Sequence, residues 1–145
     1  LLAHIAIAKY QDALPLYRQE QILKRSGIEL GRNTLAGWML KCGVLVQPLI
    51  NLLNDHCLSG DILQGDETPV QVLKEPGKSA QSQSYMWIRR GGLPDQKVVL
   101  YDYASSRSGR VAKQLFDGFR GYLQTDDYAG YHALGKTADI TPLGC

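Results

Sequence analysis

The sequence predicts an α/β fold: a mixed sheet with helices, preceded by an all-helical segment. Three observations predict it. Apolar residues recur at helical spacing up to about residue 58 and then give way to strand-like runs. Two short acidic motifs follow, Asp61-Ile-Leu-Gln-Gly-Asp66-Glu-Thr-Pro69 and Gly121-Tyr-Leu-Gln-Thr-Asp126-Asp-Tyr128, each read as closing a strand. Between the motifs lie two strand-like runs and one helix-like run.

Residues 1–58 read as a helical, helix-turn-helix-like segment. The opening apolar run Leu1–Ala8 is too short to span a bilayer and lacks a basic leader, so it is expected to be a core segment of a longer protein. Leu14, Tyr17, Ile22 and Leu23 keep helical spacing, Pro15 suits a helix start, and Ser26-Gly27 suits its end. After the connector Ile28-Glu29-Leu30, a second helix is predicted from Arg32 to Leu40, capped near Asn33 or Thr34, with Leu35, Trp38 and Met39 on its apolar face. Pro48 is expected to open a further helix to Leu58, closed by Gly60.

Residues 59–145 change character. Val70, Val72 and Leu73 are strand-like, and residues 75–84 form a polar, turn-rich loop. Tyr85–Arg89 and Lys97–Tyr103 read as strands joined by a loop over Arg90–Asp95. Ser105–Ser108 initiates a helix through Val111, Ala112, Leu115 and Phe116, ended by Gly118. Tyr122–Thr125 is the next strand, and Tyr128–Leu134 begins another helix. The order strand–Asp, two strands, helix, strand–Asp suggests a ribonuclease H-like sheet carrying two metal-binding aspartates. On that reading residues 59–145 are the N-terminal part of a catalytic domain whose third carboxylate lies beyond Cys145.

Bulk properties narrow the chemistry. Of 145 residues, 44% are apolar and 21% charged, which allows a buried core and argues against disorder. A net charge of +2 predicts no tight DNA binding from bulk charge, so nucleic-acid contacts fall to local basic clusters. Cys42, Cys57 and Cys145 form no Cys-x-x-Cys pair, and His4, His56 and His132 share no ligand spacing. Neither a zinc site nor a disulfide framework is indicated, and a reducing cytoplasm is expected.

Asp66 and Asp126 are the candidate catalytic and metal-binding residues. Phosphoryl transfer between nucleic-acid strands uses divalent ions that stabilise the attacking and leaving oxygens, and carboxylates are the hard ligands such ions take. Two carboxylates brought together on adjacent strands repel unless a cation lies between them. The same residues also suit plainer roles: Asp66 a turn or cap, Asp126 or Asp127 the N-cap of the helix near Tyr128. Glu67 reads as solvated or as a supporting group, and Asp102 as a polar strand residue held in reserve as a ligand.

Several uncommon strings occur in one order along the chain. They are Leu14-Pro-Leu-Tyr-Arg-Gln-Glu-Gln21, Thr34-Leu-Ala-Gly-Trp38, the run from Asp66 to Lys78, Ser84-Tyr-Met-Trp87, Val99-Leu-Tyr-Asp-Tyr103, Ser106-Arg-Ser-Gly109 and Gly121–Asp126 with Tyr128-Ala-Gly-Tyr131. Together they resemble the central region of transposases of the IS66 family. The resemblance implies a DDE-type transposase using Asp, Asp and Glu with Mg²⁺ or Mn²⁺, two ions in the complete site. By position the first Asp is Asp66 and the second Asp126; Asp127 stands where the family usually has Gly, and Asp126 keeps the Leu-Gln-Thr-Asp register. It further implies cleavage and strand transfer of DNA, with insertion-sequence ends and target as partners. A homo-oligomer on DNA in the bacterial cytoplasm and no membrane are expected. The alternative is a catalytically inactive DNA-binding or interaction remnant.

Five residues are the DNA-binding candidates. Arg32 and Asn33 begin the helix that a helix-turn-helix would insert in a groove, though an ordinary helical hairpin is equally compatible with Tyr17–Cys42. Arg107, Arg110 and Lys113, with Arg89 and Arg90, are read as a phosphate track or as solvated surface charge.

Overall fold

Three helices begin the chain: α1 (Leu2–Tyr10), α2 (Leu16–Arg25) and α3 (Arg32–Leu58). The computed structural model describes residues 1–126, 128–132, 134 and 139–144, and divides into two compact units, Leu1–Ile50 and Asn51–Cys145. In the first unit Ile5 and Leu35 are fully buried and Met39 nearly so, with Leu16, Leu23, Leu30, Trp38 and Cys42 packed around them. The buried Gln19 amide donates to the Leu14 carbonyl at 3.0 Å and so satisfies a polar group of the α1–α2 turn. Helix α2 ends as Ser26-Gly27 predicts. Gly27 takes a φ of 77°, and the Ile28 N–H reaches back to the Leu23 carbonyl at 2.9 Å.

Helix α3 corrects two expectations. It begins at Arg32, so Asn33 and Thr34 lie within its first turn rather than at its cap. It also runs unbroken through Pro48, where a new helix was expected. Proline inside a helix removes one backbone bond but does not forbid continuation. By length and composition α3 is apolar enough to cross a membrane. Leu35 and Met39 belong to the helical core and Cys57 to the core of the sheet unit.

The second unit is a five-stranded mixed sheet in the order β3-β2-β1-β4-β5. Its strands are β1 (Ile62–Gln71), β2 (Gln83–Gly91), β3 (Val98–Ala104), β4 (Gly121–Thr125) and β5 (Ile140–Gly144). The first three form an antiparallel meander; β4 is parallel to β1 and β5 parallel to β4. Helix α4 (Gly109–Leu115) makes the crossover from β3 to β4. The expected mixed sheet with helices is therefore present. Asp66, expected at a strand end, lies inside β1, because β2 keeps pairing with it as far as Gln71. Strand β5 was not among the expected elements; Pro142 and Gly144 within it are weak strand formers. Of the helix expected over Tyr128–Leu134, a 3-10 turn at Ala129–Tyr131 is seen, while Ala133 lies outside the described residues, as do Asp127 and Cys145.

Side chains alternate between the two faces of the sheet. Leu63, Trp87, Leu100 and Leu123 point to one face and form a core with Cys57, Phe116 of the α4 segment and Phe119. The opposite face exposes Ile62, Tyr101 and Tyr122. Gly91 is where β2 passes the end of α3: a Cβ there would lie 2.2 Å from the Cys57 carbonyl oxygen. Gly91→Ala is therefore expected to cost about 1–3 kcal/mol of stability by overpacking. Urea unfolding measures it, and an unchanged midpoint would contradict the close approach.

Candidate active site

The pairing of β1 with β4 brings the two sequence-predicted aspartates together. Gln64 stands opposite Gln124, and their side-chain amides are joined at 2.8 Å. Two residues beyond this pair come Asp66, still within β1, and Asp126, just past the end of β4. Both line one open cavity of about 210 Å³ with Gln64, Gly65, Gln124 and Thr125. Both are exposed. Gly65 lets the inner face close beneath them, since a Cβ there would meet the Phe116 ring at 2.4 Å.

Each carboxylate is oriented by backbone. Asp66 Oδ1 accepts from the Glu67 N–H at 2.8 Å, and Asp126 Oδ1 accepts from the Tyr128 N–H at 3.2 Å. The second bond is an Asx-type turn; the N-cap role considered for Asp126 is not seen, since Tyr128 is the N-cap of the 3-10 turn that follows. Asp66 serves no turn; it pairs across the ladder with Ile88.

Of the two readings of Glu67, solvated or supporting, the structure fits the second. Glu67 is not solvated: its side chain has no exposed surface. Arg107 Nε donates to Glu67 Oε1 at 2.5 Å, and the Tyr131 hydroxyl donates to Oε2. Burial, with the Glu67 carboxylate beside it, pushes the Tyr131 hydroxyl far above its ordinary pKa and keeps it a donor. Tyr131 also packs edge-on against Trp87 at 5.9 Å and Phe116 at 6.0 Å. Arg107 Nη2 stands 3.6 Å from Asp126 Oδ2, and the guanidinium lies over the Tyr128 ring at 3.7 Å. One signal for Glu67 was in the sequence: Leu63, Gly65 and Glu67 share the inward phase of β1. An acid in that phase requires a buried partner.

The remaining candidates sit apart. Asp102, the reserve ligand, pairs with Arg89 at 2.8 Å. Arg89 is buried and also donates to Asn54 Oδ1 and the Leu115 carbonyl, both at 2.7 Å, so this pair ties β2 and β3 to α3 and α4. Arg90 is exposed and donates to Gln64 Oε1 at 2.7 Å, beside the acidic cavity. Arg110 and Lys113 are exposed on α4, and Arg32 and Asn33 are exposed on the first turn of α3.

A mixed sheet with two carboxylates at one cavity beside its central parallel strands defines an α/β domain with an acidic cleft. Residues 1–145 match the model of the family described as Transposase IS66 family, and the chain belongs to that family. It is 35% identical over 141 residues to the uncharacterized protein y4qI of Sinorhizobium fredii, covering 94% of this chain and 26% of that one. It is 34% identical over 141 residues to the uncharacterized protein y4jD of the same organism, covering 94% and 27%. The chain thus spans about a quarter of the length of these curated relatives. No solved structure matches it.

Tyr131→Phe removes one donor from the buried Glu67. It is expected to cost about 1–3 kcal/mol, the usual penalty for leaving a buried acceptor short of a partner. Thermal or urea unfolding measures the loss, and wild-type stability would contradict the assigned bond.

Proposed function

We propose that the sheet unit belongs to a ribonuclease H-like DDE domain that cleaves and transfers DNA strands in transposition of an insertion sequence. In this reading Asp66 and Asp126 are two of its metal-binding carboxylates. The observation that supports it most is the meeting of the two aspartates at one cavity, across adjacent parallel strands in matching register. Sheet order supports it too, with an antiparallel meander extended by parallel strands beyond β1.

The residues suit a hard divalent ion. Both ligands offer carboxylate oxygens, and each uses Oδ1 for a backbone N–H. Among the described residues no group of three His, Cys, Asp or Glu stands together, so a third ligand has to come from elsewhere. Mg²⁺ or Mn²⁺, two ions in the complete site, would supply charge stabilisation for the attacking and leaving oxygens of a phosphodiester. The protein's own part is to fix Asp66 through the β1–β2 ladder, Asp126 through its turn, and the DNA backbone through cationic side chains.

Exposed Arg110 and Lys113 are proposed to contact DNA phosphates, with Arg107 acting closer to the carboxylates. Arg32 and Asn33 are proposed to read a groove from the start of α3. The partners are the element ends and target DNA, engaged by a homo-oligomer in the bacterial cytoplasm. In the intact protein, Asp66→Asn and Asp126→Asn are each expected to abolish Mg²⁺-dependent strand transfer on element-end DNA; retained activity in either would sink the assignment. A second reading, a catalytically inactive DNA-binding module, is supported by the exposed Arg32, Arg110 and Lys113, which need no metal to meet phosphates. DNA binding that persists without metal in both aspartate variants, with no strand transfer by the wild type, would favour it.

Arg32→Ala with Asn33→Ala is expected to weaken binding to element-end DNA and relax its sequence preference. A fluorescence-anisotropy titration against scrambled DNA checks this, and an unchanged preference would remove the groove-reading role.

A further inference from the structure

Three stretches far apart in sequence converge on one carboxylate. Asp66-Glu67 lies on β1, Ser106-Arg-Ser-Gly109 leads into α4, and Tyr128-Ala-Gly-Tyr131 follows β4. Glu67 is their meeting point, paired with Arg107 and hydrogen-bonded by Tyr131. Arg107 is held at both ends. Its side chain is anchored on Glu67 and stacked on Tyr128, and its carbonyl accepts from the Tyr128 hydroxyl at 2.7 Å. The two loops approach closely, for a Cβ on Gly109 would lie 3.0 Å from the Gly130 carbonyl oxygen.

The two aspartates are held very differently. Asp66 is locked in the ladder with β2. Asp126 lies past the last residue of β4, and its side chain is half exposed. Its Oδ1 takes the Tyr128 N–H; its Oδ2 faces Arg107. Two contacts fix the plane of a carboxylate where one leaves it free to turn. We propose that Arg107 is a positioning residue: anchored on buried Glu67, it sets the orientation of the Asp126 carboxylate relative to Asp66. The inference rests on the metal-site reading above.

A role as mere counter-charge makes the opposite forecast. A guanidinium beside Asp126 repels a divalent ion, so removing it would tighten metal binding. Loss of an orienting partner loosens it, typically about 10–100-fold. The double exchange Glu67→Gln with Arg107→Gln separates the two, because it removes one charge of each sign and leaves no buried ion unpaired.

The test is Mn²⁺ titration followed by electron paramagnetic resonance, on the intact protein containing this chain. The double variant is expected to keep its circular dichroism spectrum and lose about 10–100-fold in Mn²⁺ affinity. Leu100→Ala, a core truncation on β3, is expected to lose stability but keep its Mn²⁺ affinity. Unchanged or tighter Mn²⁺ binding in the double variant overturns the positioning role while leaving the metal site intact. So does a parallel loss in Leu100→Ala, which would make the effect one of stability. A wild type that binds no Mn²⁺ removes the metal-site reading itself, and the positioning role with it. Should the double variant fail to fold, Arg107→Lys replaces it: the charge stays, but an ammonium cannot hold Glu67, stack on Tyr128 and reach Asp126 together. The same loss is then expected, and wild-type affinity would overturn the proposal.

Discussion

The pairing of β1 with β4 sets the geometry on which the acidic cleft depends. A slip of one residue would turn Asp126 to the other face and break the juxtaposition with Asp66. Several features resist that slip. Leu63 and Leu123, directly paired, are both buried on the inner face, so a shift would expose one of them. On the outer face the amides of Gln64 and Gln124 join. At the entry, the Tyr122 N–H donates to the Asp61 carbonyl at 2.8 Å. Gly121, with φ of 135°, fits against Asp61 where a Cβ would lie 2.5 Å from that carbonyl oxygen. Parallel pairing between strands distant in sequence has little local help, so hydrophobic and polar register marks on both faces take its place.

Two ion pairs rim the inner face, and they solve different problems. Arg89 with Asp102 fastens two strands to the helices that cover them. Glu67 with Arg107 lies beneath the cleft and joins β1 to the segments flanking β4. Buried pairs of this kind contribute little net stability against apolar replacements, because desolvation offsets the Coulomb gain. What they do supply is directionality: hydrophobic contacts alone do not fix the angle of a carboxylate. An ion pair supported by aromatic edges does, and Tyr131 contributes both the hydroxyl and the ring.

Much of the sheet was legible because its strands are bounded by turn chemistry and its residues alternate. The strands of the meander and the crossover helix could be read from local pattern, whereas Asp66 and Asp126 stood out chiefly through the family resemblance. Pro48 was read as a start signal because it commonly is one, yet α3 runs through it, since a proline removes one backbone bond without forbidding continuation. Strand β5 was missed because Pro142 and Gly144 are turn residues in isolation, and only pairing with β4 makes them a strand. The clamp around Glu67 was hidden for a different reason. Its members come from positions 67, 107, 128 and 131, and no local rule links them. Arg107 was read as part of a phosphate track or as solvated surface charge, whereas here a buried acid has claimed it.

The sequence contains two tryptophans, and each unit holds one. Trp87 is wholly buried among Tyr131 and the sheet core, and its indole N–H has no partner among the described residues. Trp38 is only partly buried beside α1. An indole in a dry pocket emits at shorter wavelength than one in contact with water. The emission spectrum of the native chain is therefore expected to combine a bluer band from Trp87 with a redder, overlapping band from Trp38. Loss of the blue band alone reports opening of the sheet, and a shift of the red band alone reports opening of the helices. A single optical trace can thus reveal whether the units unfold together or one at a time.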